Sequence, residues 1–264
     1  MIVYTCLFGG RDKLQPPRVV DKNTEYFCFT DKKERVCEPW LPLVLERKED
    51  NSWKYDYSKE RGAKIWEPLP FARISREPKI LAHKWIDTDI SVYHDANLIM
   101  NVSPFALIDF LNTSPIALFR HPYRHCIYNE IQNCIDWGKD STARLRDYES
   151  KLRREEYRRR PYGSLERLFL EGMGLWSGGV IIRRHEYSAE IFNNMWWEEF
   201  IDSKTCRDQI PLAYIIIKFS PQLSIIPGNI FDNILFEYRK HLYSYDQTNF
   251  SFGHTSRYNE GNPG

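Results

Sequence analysis

The stretch that most constrains the fold runs from Lys79 to Met100, KILAHKWIDTDISVYHDANLIM. It reads as the end of a helix carrying Lys79 and His83, an acidic turn, a short β-favouring run Ile90-Ser91-Val92-Tyr93, and a polar exit His94-Asp95-Ala96-Asn97. A helix feeding a buried strand whose far end turns polar belongs to α/β sheets, and such sheets gather ligand-binding groups outside their strand ends. Two acidic motifs compete for that role. Asp87-Thr88-Asp89 precedes the strand and Asp95-Ala96-Asn97 follows it, so at ~3.3 Å per residue the two lie roughly 20 Å apart and cannot hold one ion. Asp87 and Asp89 read as a turn entering the sheet, where Asp bonds its own backbone. Asp95 and Asn97 place an oxygen ligand at alternate positions, which suits a hard cation such as Mg²⁺ or Mn²⁺.

The rest of the chain alternates strands and helices. Ile2–Phe8 is a β-favouring run closed by Gly9-Gly10, whose spacing matches neither a dinucleotide fingerprint nor a P-loop. Tyr26–Thr30 is a second strand ending at Asp31, a residue that either meets a ribose or base or caps a turn. Trp40–Leu45 is a candidate third strand. From Pro70 to Trp85 the period is helical, with Ile74, Ile80, Leu81 and Ala82 toward the core and Arg73, Arg76, Lys79 and His83 on a cationic face. That face is either solvated or a clamp for pyrophosphate.

Ser103-Pro104 starts a helix over Phe105–Leu111, and a strand Ile116–Phe119 delivers Arg120-His121-Pro122-Tyr123-Arg124. Helices over His125–Trp137 and Ser141–Arg159 follow. The arginines of the second read as a solvated face interleaved with Glu, not a nucleic-acid patch. Gly172 to Gly179 is a glycine-rich loop leading into a strand Val180–Ile182. A helix Ser188–Phe200 carries Trp196-Trp197-Glu198-Glu199, and Arg207-Asp208-Gln209 opens an apolar helix Ile210–Phe219. Leu223–Ile226 is the last strand. Residues 1–235 read as one domain, and 236–264 as a partly ordered tail containing His241 and His254.

Composition closes several routes. A net charge of +1 gives no long-range attraction to nucleic acid or acidic membranes. Six cysteines without C-x-x-C spacing argue against a zinc ribbon or a redox motif and for a reduced, intracellular protein. The start MIVYTCLFGG lacks the features of a signal peptide and no apolar run reaches the length of a membrane span, so a soluble, cytoplasmic chain is expected.

The succession YTCLFGG, FCFTD, RISREPKILAHKW, the Asp95-Ala96-Asn97 exit, HPYRHCIYNE, GLWSGGVIIRRH, WWEE, RDQ and IPGN resembles a glycosyltransferase-like family, formerly a domain of unknown function. That family includes plant mucilage-related hexosyltransferase-like proteins and single-domain bacterial and viral relatives. The resemblance runs from about Ile2 to Asn233. It implies a GT-A-like α/β fold of the nucleotide-diphospho-sugar transferase type, a mixed twisted sheet flanked by helices. Thr5, Gly9, Gly10 and Asp31 would line the nucleotide pocket, and Arg76, Lys79 and His83 would clamp the phosphates. Asp95 and Asn97 match the metal-strand exit, with His241 or His254 completing the shell.

Asp208 would serve as general base, or with Gln209 would sit beneath the anomeric carbon. His121, Arg124, Trp196, Trp197 and Glu198 are acceptor or sugar contacts, and Glu130 supports the helix. The implied reaction transfers a sugar from a nucleoside-diphosphate donor, UDP-linked, to a hydroxyl of a glycan or glycoconjugate with Mn²⁺ or Mg²⁺. Two other functions compete. One is a metal-dependent hydrolase, since some plant relatives have been described as alkaline ceramidases; the missing H-E-x-x-H and the lack of membrane spans speak against it. The other is a non-catalytic carbohydrate-binding module.

Overall fold

The computed structural model describes residues 1–10, 12–45, 71–158 and 175–241. Its strands are β1 (Ile2–Leu7), β2 (Glu25–Thr30), β3 (Leu41–Val44), β4 (Ile90–His94), β5 (Leu98–Met100), β6 (Ile116–Arg120), β7 (Trp176–Arg184), β8 (Leu223–Ile226) and β9 (Phe236–Tyr238). The helices are α1 (Phe71–Ile74), α2 (Arg76–Ile80), α3 (Phe105–Ile108), α4 (Ile127–Asp136), α5 (Thr142–Arg158), α6 (Tyr187–Ser203) and α7 (Gln209–Phe219).

Seven strands form one sheet in the order β3-β2-β1-β4-β7-β6-β8. β3, β2, β1 and β4 run parallel, β7 is antiparallel to both β4 and β6, and β8 is parallel to β6. This is the mixed α/β arrangement the resemblance implies. The order reverses between β1 and β4, and at such a switch point the loops leaving the two strands diverge and open a crevice. Gly9-Gly10 leaves β1 there and Asp95 leaves β4. Because β7 runs the other way, its first residues arrive at that same edge.

Alternation along the strands fills both faces. Ile2, Tyr4, Tyr93 and Ile181 face one core with α4, α6 and α7, while Val3, Leu7, Val92, Val180 and Ile182 face a second core with Leu107 and Leu111. A side sheet pairs β5 with β9 antiparallel, Leu98 opposite Tyr238. The tail expected from residue 236 therefore begins as a paired strand, and residues 242–264 lie outside the described residues.

Three local readings change. The helix expected over Pro70–Trp85 is broken into α1, α2 and a 3₁₀ turn, Ala82–Lys84. Pro78 explains the first break, since its ring collides with the carbonyl four residues earlier, that of Ile74. Gly178 and Gly179, expected in a loop, lie inside β7. Gly172 and Gly174 fall outside the described residues, as do Arg159, Arg160 and His254. Strands β5 and β9 had no counterpart in the expectations.

Candidate active site

Four charged side chains converge at the switch point between β1 and β4. Lys79, at the end of α2, is 2% exposed. Its Nζ lies 2.7 Å from Oδ2 of Asp208 and 3.4 Å from Oδ1 of Asp95. Arg76, one helical turn earlier, sets its Nε 2.9 Å from Oδ1 of Asp208. The Tyr93 hydroxyl donates to Oδ1 of Asp95 at 2.6 Å. Asp208 precedes α7 yet makes no side-chain bond to that helix's amides, so helix capping does not account for it.

The electrostatics follow from this packing. Burial pushes the Asp208 carboxyl up, but Arg76 and then Lys79 outweigh it and hold the group well below the usual carboxylate range. Burial, reinforced by the Asp95 carboxylate, keeps the Tyr93 phenol protonated and able to donate.

Lys79 is held from behind by its own carbonyl. That oxygen accepts from Nη2 of Arg183 at 2.9 Å and from the Tyr4 hydroxyl at 3.2 Å. Arg183 is 1% exposed and also donates to the Tyr4 hydroxyl at 2.8 Å and to Oδ1 of Asn193 at 3.1 Å. A buried arginine must have its donors satisfied, and these bonds fix α2 against β7 and α6. Sequence reasoning assigned nothing to Tyr4, Arg183 or Asn193. The available signal was Arg183 itself, two positions from the core-facing Ile181 in a strand and hence on the same face.

The floor of the site consists of the two β7 glycines. A Cβ on Gly178 would stand 3.4 Å from Nζ of Lys79 and 3.5 Å from Oδ2 of Asp208. A Cβ on Gly179 would stand 2.8 Å from Cδ1 of Ile230 and 3.3 Å from Oδ2 of Asp95. Glycine in a strand interior marks such close approach. The backbone is shared too, since the amide of Asp95 donates to the carbonyl of Gly179 at 2.8 Å.

The residues expected to line a nucleotide pocket gather where β1 and β2 end. Gly9 and Gly10 both have φ of +70°, the left-handed region that favours glycine. The Arg35 guanidinium lies over Gly10, where a Cβ would be 3.0 Å from Cζ, and its Nη1 pairs with Asp31 at 3.3 Å. Asp31 thus meets an arginine that sequence reasoning passed over. Thr5 is fully buried, and its hydroxyl has no hydrogen-bond partner among the described residues. His83 turns away from Lys79, its Nδ1 3.3 Å from Nδ2 of Asn193, and so joins the buried Arg183 network instead of the charged cluster.

The Asp95 corner is where the expected cation would sit. That carboxylate is 39% exposed, its Oδ1 is engaged, and its Oδ2 faces the notch a Gly179 Cβ would fill. Asn97 donates through Nδ2 to the carbonyl of Arg239 at 3.2 Å, which orients its amide. Among the described residues no group of three or more His, Cys, Asp or Glu side chains is arranged to hold a metal ion. Mg²⁺-type sites commonly use one or two protein oxygens and take the rest from substrate phosphates and water. His241 places Nδ1 2.5 Å from Oδ1 of Asp12.

The expected sugar contacts are placed differently. Trp196 is fully buried and donates through Nε1 to the carbonyl of Asp208 at 3.0 Å, so it braces the start of α7 from inside the core. Trp197 packs on Phe200 at 5.6 Å. Glu198 lines a separate cavity of about 280 Å³ with Met195, Asp202 and Lys218. His121 is buried and accepts through Nδ1 from the amides of Tyr123 and Arg124 at 3.2 and 3.0 Å. Arg124 pairs with the buried Glu130, whose expected support of the helix this pairing describes.

The sequence matches a family model described as TOD1/MUCI70, glycosyltransferase-like domain, over residues 1–247. No curated protein sequence matches. Among solved structures, the apo form of mouse xyloside xylosyltransferase 1 overlaps with a TM-score of 0.45 at 8% identity, covering 85% of this chain and 84% of that one. Galactosyltransferase LgtC, in complex with donor and acceptor sugar analogs, overlaps with a TM-score of 0.40 at 11% identity, covering 85% and 73%. These are likenesses of arrangement, and the family assignment rests on the sequence match.

Proposed function

The chain belongs to the TOD1/MUCI70 glycosyltransferase-like domain family, and from that premise we propose that it moves a hexose from a nucleoside-diphosphate sugar, UDP-linked, to a hydroxyl of a glycan or glycoconjugate, with Mn²⁺ or Mg²⁺ bound. The observation that carries this reading is the Lys79 ammonium between Asp208 and Asp95 at the sheet's switch point. Cations held by carboxylates at a sheet's switch point are preorganised to receive a diphosphate, because little reorganisation is needed when negative charge develops on the leaving group.

In this reading Arg76 and Lys79 face the diphosphate, while Gly9, Gly10, Thr5 and Asp31 lie toward the nucleoside. Asp95 and Asn97, with His241, would hold the cation, which when bound neutralises the departing diphosphate. Asp208 stays ionised at neutral pH, and an anion of such low basicity is poorly suited to take a proton. It suits two other tasks, fixing the two cations and facing positive charge at the anomeric carbon, with Gln209 beside it.

The experiment is thermal denaturation of the chain with UDP-, GDP- and TDP-sugars, each with and without Mn²⁺, followed by nucleotide release on adding mixed glycan acceptors. A metal-dependent shift with a UDP-sugar and acceptor-dependent release of UDP are expected. No shift with any sugar nucleotide would overturn the reading, and a shift without turnover would leave a binding module.

A further inference from the structure

Beside the charged cluster lies an aromatic surface that the donor chemistry does not use. The loop 227–235 between β8 and β9 takes its shape from its own amides. Oδ1 of Asn229 accepts from the amide of Phe231 at 2.9 Å, and Nδ2 of Asn233 donates to the carbonyls of Asn229 and Ile230 at 2.8 and 3.1 Å. Oδ1 of Asn233 accepts from the amides of Leu235 and Phe236, both at 2.9 Å. This turn sends adjacent residues to opposite sides. Ile230 is 1% exposed and closes the Gly179 notch beside Asp95, whereas Phe231 is 40% exposed.

Phe231 is the middle of three rings. Tyr123, 67% exposed, lies parallel to it with centroids 6.1 Å apart and planes 9° from each other. Tyr238 stands nearly perpendicular to it, with centroids 4.9 Å apart and planes 72° from each other. Each ring sits on a segment that also reaches the cluster. Tyr123 follows β6, which pairs with the start of β7, and Tyr238 lies opposite Leu98, whose amide donates to the carbonyl of Asp95 at 2.9 Å. Rings fixed before binding lose little freedom on contact, so the exposed parts of Tyr123 and Phe231 can be covered at low entropic cost.

We propose that Tyr123, Phe231 and Tyr238 form the acceptor subsite, on which a pyranose of an oligosaccharide chain lies with its C–H face against the Phe231 ring while the next sugar's hydroxyl reaches the Asp95 corner. The inference rests on the transferase reading for its placement of the reacting hydroxyl, but the stacking surface itself is tested separately. The probe is an immobilised panel of oligosaccharides covering neutral hexose, pentose, amino-sugar and uronic-acid chains, with UDP and Mn²⁺ present.

The unsubstituted chain binds at least one of these chains. Phe231→Ala and Tyr123→Ala lower that binding by about tenfold, the order expected for one lost ring contact. Phe231→Tyr keeps it, and Phe231→Leu, which retains apolar bulk without a ring, loses it. UDP affinity, measured by calorimetry, is unchanged in each variant and reports the fold. The proposal is overturned if Phe231→Leu binds as the unsubstituted chain does, which would make the surface merely apolar, or if the chain binds UDP but none of the oligosaccharides. Failure to bind UDP, with oligosaccharide binding that still depends on the Phe231 ring, would count against the transferase reading and uphold the subsite.

Discussion

Lys79 and Asp208 approach to 2.7 Å although they stand in opposite halves of the chain. One ends α2 and the other opens α7, and neither element alone gives a reason for burying its charge. The contact exists because the Lys79 carbonyl is held by Arg183 and Tyr4, while the Asp208 carbonyl is held by Trp196. Two backbone anchors in the core thus aim two side chains at one crevice.

Removing the ammonium leaves Asp208 buried with Arg76 as its remaining ion-pair partner. Lys79→Met should destabilise the fold by about 3–5 kcal/mol, as breaking a buried pair does, and should weaken UDP binding. Urea denaturation of Lys79→Met, Asp208→Asn and the double variant should give a coupling energy of about 1–3 kcal/mol. Additive effects would mean the two charges do not sense each other.

Asp95 is partly exposed, but its Oδ1 is the acceptor for the buried Tyr93 hydroxyl. Asp95→Ala should abolish turnover and the Mn²⁺-dependent part of UDP binding, and should cost about 1–3 kcal/mol in urea because the buried Tyr93 hydroxyl loses its acceptor. A turning-over Asp95→Ala protein would remove Asp95 from the reaction.

The two floor glycines should differ. Gly179→Ala drives a methyl group against Ile230 and toward Asp95, whereas Gly178→Ala makes contacts near ordinary van der Waals distance. Gly179→Ala should therefore lower Mn²⁺ affinity more than Gly178→Ala, and shortening Ile230 to valine in the same chain should recover part of the loss. Calorimetric titration with Mn²⁺ and UDP reads the difference, and equal effects would contradict it.

Asp208→Asn keeps the side-chain shape and removes the charge. The catalytic constant should fall by about 10²-fold or more, the order of one lost electrostatic partner of the transition state, with a smaller change in donor KM. An unchanged rate would reduce Asp208 to a structural anion.

Stability should depend on buried histidines, His121 and His185 among them, with His83 and His94 also held below their ordinary value by burial. Burial lowers the pKa of His121 and of His185 from 6.5 to about 4. As pH falls below 6.5 the unfolded chain takes up these protons while the folded chain does not, so stability declines from about pH 6.5 to about pH 4 and this contribution levels off below that. Asp208 titrates lower and leaves this window alone. His121→Gln and His185→Gln should each flatten the slope of urea stability against pH; a slope unaltered by both would refute the assignment.

Strand and helix identities were legible wherever periodicity and turn residues agreed. Ile2–Leu7, Glu25–Thr30, Ile116–Arg120 and Leu223–Ile226 form close to where their β-favouring runs lie, and Pro78 could have announced the break in the basic helix. Gly178 and Gly179 misled because glycine pairs usually mark loops, whereas here neighbouring side chains occupy the space their Cβ atoms would take. The short β5 and β9 carry too few residues for a periodic signal.

The sequence by itself determined the α/β class, the strand exit at Asp95 and the set of charged residues available for chemistry, because these depend on local composition and spacing. Tertiary structure alone decided which of those residues meet. It brought Arg76 and Lys79 to Asp208, turned His83 toward Asn193, buried Trp196 in the core and left Phe231 facing solvent. Contacts between distant segments are fixed by sheet order and by buried hydrogen bonds such as those of Arg183, and neither is encoded in any short stretch of chain.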